Sequence, residues 1–253
     1  MKNEVSPLNR LSSLSSARVG LKRTGSSLST GEILKFDLDH ARARDAVHMP
    51  FDTSMLINRL NGNGIQTLVV DSAACNREIF LKRPDLGRTL SEESKRILEE
   101  YTEEYPKKVD ITLVVGDGLS SQAIHSNAAE FINFFYARSA SYNWSTSPVI
   151  LANQSRVALA DEIGEIFKAG IGIILIGERP GLSASDSMGI YMTYEPCKGK
   201  TDAEKNCISN IRTGGMTIES AVNKLLYLIN ASLKQRISGV SLKDNSQFLE
   251  GSE

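Results

Sequence analysis

The most regular feature of the sequence is an alternation of apolar runs and helical patterns that begins at residue 109. The apolar runs occur in DITLVVGDGLS, SPVILAN, IGIILIGERPG and MGIYMTYEP, and most of the segments between them have the spacing of helices. A last helix is expected to begin at Thr217 and to end before Gly239. Near-continuous Val, Ile and Leu runs are typical of strands buried on both faces, and helices between such strands indicate right-handed parallel crossovers. The pattern predicts an α/β fold with a doubly wound, Rossmann-like parallel sheet over residues 106–253.

The residues before 106 have a different pattern of apolar and polar positions. Residues 30–47 have apolar positions at helical spacing, with Thr30 as the predicted N-cap. Residues 66–73 and 78–83 are predicted to be two short strands. A charged helix follows Leu90, with Ser91 as its N-cap. We therefore predict a boundary after residue 105, with residues 1–105 forming a tail and a smaller, mainly helical accessory domain.

The first 36 residues are rich in serine and basic residues, with eight Ser, six Lys or Arg, and two Asp or Glu. One interpretation is an unstructured tail, because such a segment buries too little apolar surface to offset its ordering entropy. The other is a weakly amphipathic helix carrying Leu8, Leu11 and Leu14, which docks on a partner or directs the protein to a compartment. The segment lacks the continuous apolar region of a secretory signal.

Composition narrows the possible partners. The 253 residues include 29 basic and 30 acidic residues, so the formal charge of −1 gives no overall field that attracts nucleic acid or an anionic membrane. The longest aliphatic run is far shorter than the roughly 18 residues that span a bilayer, so no membrane span is expected. Three cysteines without CxxC spacing and three histidines suggest neither a disulfide framework nor a zinc site, and a reducing cytosol fits best.

Ligands of a doubly wound sheet bind at the carboxyl ends of its strands. Three candidate loops follow predicted strands, at residues 116–121, 177–187 and 206–215. In the first loop, Gly116, Gly118 and Ser121 resemble a dinucleotide-binding fingerprint but lack its third glycine. Asp117 would repel a pyrophosphate, so this near-match is weak evidence for a nucleotide site.

The second and third loops contain a carboxylate and a thiol. Glu178 comes directly after an apolar run and is followed by Arg179, Pro180 and Gly181, which stiffen and turn the chain. This pattern fits either a rigid binding loop or a structural surface turn. Cys207 has no neighbouring histidine or cationic pair to activate it, so the residues alone favour a small buried side chain over a nucleophile.

No catalytic constellation emerges from the sequence. It contains no GxSxG, GxxxxGK[ST] or HExxH motif. His40 lies among carboxylates in DLDHARARD, but that run is more typical of an ion-paired helix surface than of a catalytic site. His125 is expected to cap or pack within a predicted helix. We assign no catalytic or metal-binding residue to this chain and expect it to complete the site of another.

Several unusual strings occur together in one order: VVGDGLSSQAIHSNA, SRVALADEIGE, LIGERPGLSASDSMGIYMTY, TDAEKNCISNIRTGG and SGVSLKD. Upstream, SSARVGLKRTGSSLST, LDHARARDAVHMPFD and LKRPDLGRTLSEES extend the set from about residue 15 to residue 244. Together they resemble the small, light-chain subunit of ethanolamine ammonia-lyase. The resemblance implies an adenosylcobalamin-dependent lyase that converts ethanolamine to acetaldehyde and ammonia by a radical mechanism.

The resemblance also implies a division of labour and a set of contact residues. The large subunit is expected to hold the substrate, while this chain encloses part of the cobalamin. The family's cobalamin contacts correspond to Val157, Glu178 and Cys207 of this sequence. Glu178 would accept hydrogen bonds from amide groups at the rim of the cofactor, and Val157 and Cys207 would offer mainly apolar contact. Because no DxHxxG string surrounds a histidine, we expect the cofactor to retain its own benzimidazole ligand.

The remaining predictions concern the location of the protein and two alternative functions. A cytoplasmic protein, delivered into a bacterial microcompartment for ethanolamine use, agrees with the resemblance. A free-standing nucleotide-binding or scaffold module would instead account for the α/β pattern and the GDGLSS loop. A thiol enzyme that uses Cys207 is the third possibility.

Overall fold

Helices and strands alternate in the structure as apolar runs and helical patterns do in the sequence. The computed structural model describes residues 21, 23–105 and 108–244. Its α-helices are α1 (Thr30–His48), α2 (Thr53–Asn61), α3 (Arg77–Lys82), α4 (Glu92–Glu104), α5 (Ser121–Ser139), α6 (Leu159–Ile166) and α7 (Ile218–Gln235). Its strands are β1 (Arg23–Thr24), β2 (Ser27–Leu28), β3 (Thr67–Asp71), β4 (Ile111–Gly116), β5 (Val149–Asn153), β6 (Ile171–Gly177), β7 (Met188–Tyr194) and β8 (Lys205–Ile211).

Six of these strands form one sheet in the order β3-β5-β4-β6-β7-β8. The strands β3 to β6 are parallel, whereas β7 is antiparallel to β6 and β8 is antiparallel to β7. The prediction of an α/β fold is confirmed, but the expectation of parallel crossovers is wrong for β7 and β8. The connection at residues 178–187 is shorter than the roughly twelve residues that a parallel crossover needs, so β7 returns directly beside β6.

Two local predictions are also wrong. Residues 78–83 were expected to form a strand, but helix α3 occupies this part of the chain because the Asn76 side chain caps it, accepting a hydrogen bond from the Ile79 N–H at 2.9 Å. The loop predicted at residues 206–215 is mostly strand β8, whose apolar residues Ile208 and Ile211 are buried in the sheet.

Side-chain caps account for the helix starts that the sequence predicts correctly. Ser91 caps α4 by accepting a hydrogen bond from the Ser94 N–H, and Thr217 caps α7 in the same way from the Ser220 N–H. Helix α1 begins one residue earlier than predicted, since its N-cap is Ser29 instead of Thr30.

The predicted domain boundary has strands of one sheet on both sides of it. Strand β3 precedes residue 105, yet it pairs in parallel with β5 from Thr67 opposite Val149 to Asp71 opposite Asn153. Helix α2 also contributes Leu56 to the core that α5 shares. The division into residues 1–105 and 106–253 stays a prediction.

Helices cover the two faces of the sheet unequally. Helices α2, α5 and α7 pack on one face, against buried residues from β4 to β8. On the other face, α4 and α6 pack against buried residues of β3 to β6, such as Ile150 and Ile174. This second apolar cluster includes no fully buried residue of β7 or β8. We call the side of β7 and β8 that carries Gly189, Tyr191 and Cys207 the open face.

Two predictions concern other parts of the chain. The candidate tail residues Leu8, Leu11 and Leu14 lie outside the described residues. Among the residues that the structure describes, no helix is long and apolar enough to cross a membrane.

A buried ion pair joins α6 to the border of the open face. The Lys205 Nζ of β8 pairs with the Asp161 carboxylate of α6, and their side chains are only 1% and 3% exposed. Burial raises the pKa of Asp161, while the hydrogen bond from Lys205 opposes that rise. The pair therefore fixes the last strand of the sheet against the last helix on this side.

Replacing Lys205 by Met should lower the free energy of unfolding by about 3–5 kcal/mol, because it leaves the Asp161 carboxylate buried without its partner. Urea unfolding followed by circular dichroism measures the change. The matched control is Lys82→Met, which removes an exposed pair with Glu78 and should leave stability nearly unchanged. Equal effects of the two substitutions would show that the buried pair has no special role.

Candidate functional site

Glu178 is held at the end of β6 by two hydrogen bonds to its side chain. Its Oε2 accepts one from the Ser187 Oγ at 2.5 Å and one from the backbone N–H of Asn210 at 3.3 Å. The backbone N–H of Glu178 also donates to the Ser187 carbonyl at 2.9 Å, which closes the loop between β6 and β7. The carboxylate is therefore fixed by β7 and β8 as well as by its own strand.

A β-bulge directs the Asn210 N–H toward the carboxylate. The pairing of β7 and β8 shifts register between Met188 and Ile190, and Asn210 has a φ of 63°. Asparagine tolerates this left-handed conformation better than most residues. Bulges of this kind re-aim groups near functional sites, and here the group is a backbone donor.

Gly189 leaves room for the Glu178 side chain on the open face. A Cβ atom at this position would lie 2.8 Å from Glu178 Oε1 and 3.2 Å from its Cγ. Any larger side chain would displace the carboxylate. Among the described residues, neither hydrogen bond to the carboxylate uses Oε1, so this oxygen keeps its capacity to accept a bond from a ligand.

Cys207 and Tyr191 lie opposite each other on β8 and β7. The Tyr191 hydroxyl donates a hydrogen bond to the Cys207 sulfur, and burial followed by the proximity of Cys207 raises the pKa of Tyr191 to about 12. Cys207 is exposed, so its interpretation as a buried side chain is wrong. Partial desolvation raises the pKa of its thiol, the Tyr191 hydrogen bond opposes this, and the Glu178 charge adds to it. The thiol is therefore not activated as a nucleophile.

Val157 lies in the loop between β5 and α6. It is partly buried and packs against the same apolar cluster as Tyr191. Glu178 is thus close enough to Cys207 for its charge to act on the thiol, and Tyr191 lies opposite Cys207. What Val157 shares with this group is the apolar cluster, which both Val157 and Tyr191 contact.

The GDGLSS loop uses its polar groups internally. The Asp117 carboxylate is buried, pairs with Arg77 Nη1 at 3.0 Å and accepts a hydrogen bond from the Ser155 N–H at 2.9 Å. Burial raises the pKa of Asp117 to about 6, against the opposing charge of Arg77. Gly118 has a φ of 54°, and a Cβ atom there would lie 2.3 Å from the Gly177 carbonyl oxygen. The loop glycine therefore serves close packing on β6, which weakens the nucleotide interpretation.

The two histidines considered in the sequence analysis, His125 and His40, lie in structural and not catalytic surroundings. The Nε2 of His125 accepts a hydrogen bond from the Asp52 N–H at 2.9 Å, and so the residue ties α5 to the start of α2. His40 lies on an exposed side of α1, where Asp39 and Arg42 form an ion pair three residues apart. This is the ion-paired helix surface that the run DLDHARARD predicts.

Sequence reasoning missed four residues that shape the site: Ser187, Gly189, Tyr191 and Asn210. The alternation within MGIYMTYEP places Gly189 and Tyr191 on one side of a strand, but it does not tell which side lacks a helix. The bulge at Asn210 has no recognisable signal in a segment expected to be a loop.

The arrangement is suited to holding a ligand and not to proton or group transfer. It offers one fixed carboxylate with a free acceptor oxygen, a neutral phenol and a thiol of raised pKa. A carboxylate acceptor beside partly apolar side chains matches a bulky ligand that carries amide donors along its edge. The open face therefore offers one fixed hydrogen-bond acceptor to a ligand of this kind.

Comparison with known proteins gives one consistent result. A family model described as ethanolamine ammonia-lyase light chain (EutC) matches residues 5–243. The chain is 47% identical over 241 residues to the ethanolamine ammonia-lyase small subunit of Pseudomonas putida strain GB-1, covering 95% of this chain and 89% of that protein. It is 46% identical over 249 residues to the protein of the same name from Pseudomonas fluorescens strain Pf0-1, covering 97% and 91%.

The electrostatic effect of Glu178 on Cys207 can be tested by thiol labelling. In a chain with Cys75 and Cys197 replaced by Ser, Glu178→Gln removes a nearby negative charge and should lower the pKa of the Cys207 thiol. Iodoacetamide labelling measured against pH should then show its midpoint at a lower pH than in the parent. Glu130→Gln changes an exposed carboxylate of α5 and serves as the control. A midpoint that Glu178→Gln leaves in place would contradict the described geometry.

Proposed function

Since the chain belongs to the ethanolamine ammonia-lyase light-chain family, we propose that it is the small subunit of an adenosylcobalamin-dependent lyase. The enzyme would convert ethanolamine to acetaldehyde and ammonia. The observation that carries this proposal is the open face, where the charge of a fixed carboxylate acts on an exposed thiol and no helix of the described residues lies above them. Adenosylcobalamin, when bound, supplies the radical chemistry, and the protein positions and shields it.

Each of the three residues would have a binding role. Glu178 Oε1 would accept a hydrogen bond from a side-chain amide of the cobalamin, and such charge-assisted bonds are stronger than neutral ones. Val157 and Cys207 would contribute contact with the apolar parts of the ring and exclude water from it. None of them would act as acid, base or nucleophile, which agrees with the raised pKa of Cys207.

A second chain would complete the site. The relatives carry the name small subunit, which implies a large subunit beside each of them. The open face offers a partly apolar surface and one fixed hydrogen-bond acceptor. The described residues provide no set of catalytic side chains for deamination. We therefore propose that the large subunit holds the substrate and covers the cobalamin from the opposite side. Residence of the assembly in a bacterial microcompartment stays a prediction.

The two alternative functions lack comparable support. A nucleotide-binding module would use the GDGLSS loop, where Asp117 is buried against Arg77 and the Ser120 side chain caps helix α5. A thiol enzyme would need a Cys207 of lowered pKa, whereas burial and Glu178 raise it.

The main test of the proposed function is Glu178→Gln in the complex with the large subunit. The substitution keeps size and removes charge, so cobalamin binding should weaken by about 1–3 kcal/mol through loss of a charged hydrogen bond. Visible-absorbance titration with cyanocobalamin measures the affinity. Glu130→Gln should bind like the parent. Unchanged affinity for Glu178→Gln would reduce this residue to a structural part of the loop.

A second test changes Gly189, the strand residue beneath the Glu178 side chain, and leaves Glu178 itself unaltered. In Gly189→Ala, the new methyl group would meet the flexible end of Glu178, so folding should be little affected while the carboxylate moves. Cobalamin affinity should then fall at least tenfold, comparable with the loss of about 1–3 kcal/mol expected for Glu178→Gln.

The control for this test is Gly31→Ala in α1, where an added Cβ meets nothing within 4 Å. The same titration should give parental affinity for this control. If Gly189→Ala also bound cobalamin normally, the position of the Glu178 side chain over Gly189 would be irrelevant to binding.

A further inference from the structure

The open face carries an aromatic residue to which the three proposed contacts assign no role. Tyr191 lies in the middle of β7, between Ile174 of β6 and Cys207 of β8. Its neighbour on the same side, Gly189, has no side chain. Nothing on β7 therefore separates the Tyr191 ring from the Glu178 carboxylate, whose charge acts on the phenol.

The Tyr191 ring differs from the residues that surround it on the sheet. Ile174 and Ile176 of β6 belong to the same apolar cluster and are almost fully buried beneath α6. Tyr191 packs against this cluster with one part of its ring but stays only partly buried, in contrast to Thr193 farther along the same side of β7, which is buried and bonds to Asp161 of α6. The rest of the ring extends the apolar surface of the open face toward Cys207.

The hydroxyl of Tyr191 already has a partner within the chain. It donates a hydrogen bond to the Cys207 sulfur, which fixes the direction of the ring. The pKa of about 12 keeps the phenol protonated at neutral pH, so the ring carries no charge that would repel an apolar surface. A rigid, neutral aromatic ring offers a large contact area at a small loss of side-chain entropy.

We propose that Tyr191 is a fourth residue of this chain that contacts the cobalamin, through the exposed part of its ring. The methyl and methylene groups at the edge of a corrin would pack on this ring, while the hydroxyl positions Cys207. Tyrosine is among the residues that contribute most to binding when they lie within a protected site. The inference rests on the proposed function, because it assumes that cobalamin binds to the open face.

The test uses the complex of this chain with the large subunit, and cyanocobalamin as the probe. Tyr191→Leu removes the ring and should weaken binding roughly tenfold, whereas Tyr191→Phe keeps the ring and should change the affinity less than about threefold. Tyr142→Leu is the matched control, since Tyr142 stacks on Trp144 beyond the far end of α5. Equilibrium dialysis gives each dissociation constant, and size-exclusion chromatography verifies that each complex forms.

The outcomes separate this inference from the proposed function. If Glu178→Gln weakens binding and Tyr191→Leu does not, the role of Tyr191 is wrong and the function stands. If neither substitution affects binding, cobalamin does not bind on the open face, and that part of the proposed function is wrong. If Tyr191→Phe weakens binding as much as Tyr191→Leu, the hydroxyl and not the ring is responsible, which overturns the contact proposed here.

A measurement on the unaltered complex covers the case in which Tyr191→Leu fails to assemble. Hydroxyl-radical footprinting with mass spectrometry compares the oxidation of Tyr191 with and without cyanocobalamin. Oxidation of Tyr191 should fall at least severalfold when the cobalamin binds, while that of Tyr142 stays constant. Equal oxidation of Tyr191 in both states would refute the contact.

Discussion

The short returns of the chain after β6 and β7 determine which side of the sheet stays uncovered. A parallel strand needs a crossover, and the crossover normally brings a helix to cover the sheet. The connections to β7 and β8 are too short to include one, and the helix that follows β8 packs on the opposite face. As a result, α6 is the last helix on its side, and the border that it shares with β8 is fixed by the buried pair of Asp161 and Lys205.

The same two strands arrange the polar groups of the open face. Ser187 at the start of β7 and the bulge at Asn210 in β8 both donate to one oxygen of Glu178, and Gly189 provides the space for its side chain. Tyr191 then directs its hydroxyl to Cys207 across the strand pair. These groups favour recognition, since the carboxylate is held in place, the phenol is neutral and the thiol is not activated.

Sequence patterns predict the α/β fold and the caps at Ser91 and Thr217, because buried strands and helix N-termini depend on neighbouring residues. They do not predict the antiparallel return of β7, since an apolar run is the same for either strand direction. Helix α3 was missed because Asn76 was not recognised as its N-cap. For the site, Glu178 stood out locally, but Val157 and Cys207 followed only from the family resemblance. Tyr191 was missed because its role depends on the absence of a helix above it.

The central claim is that the open face forms part of the enclosure of a cobalamin, while another chain carries out the deamination. The most direct measurement is an electron cryomicroscopy map of the complex of this chain with its large subunit and bound cyanocobalamin. We expect the corrin to lie within van der Waals contact, about 4 Å, of Val157, Glu178 and Cys207. A corrin bound remote from β7 and β8, with the open face in solvent, would contradict the claim.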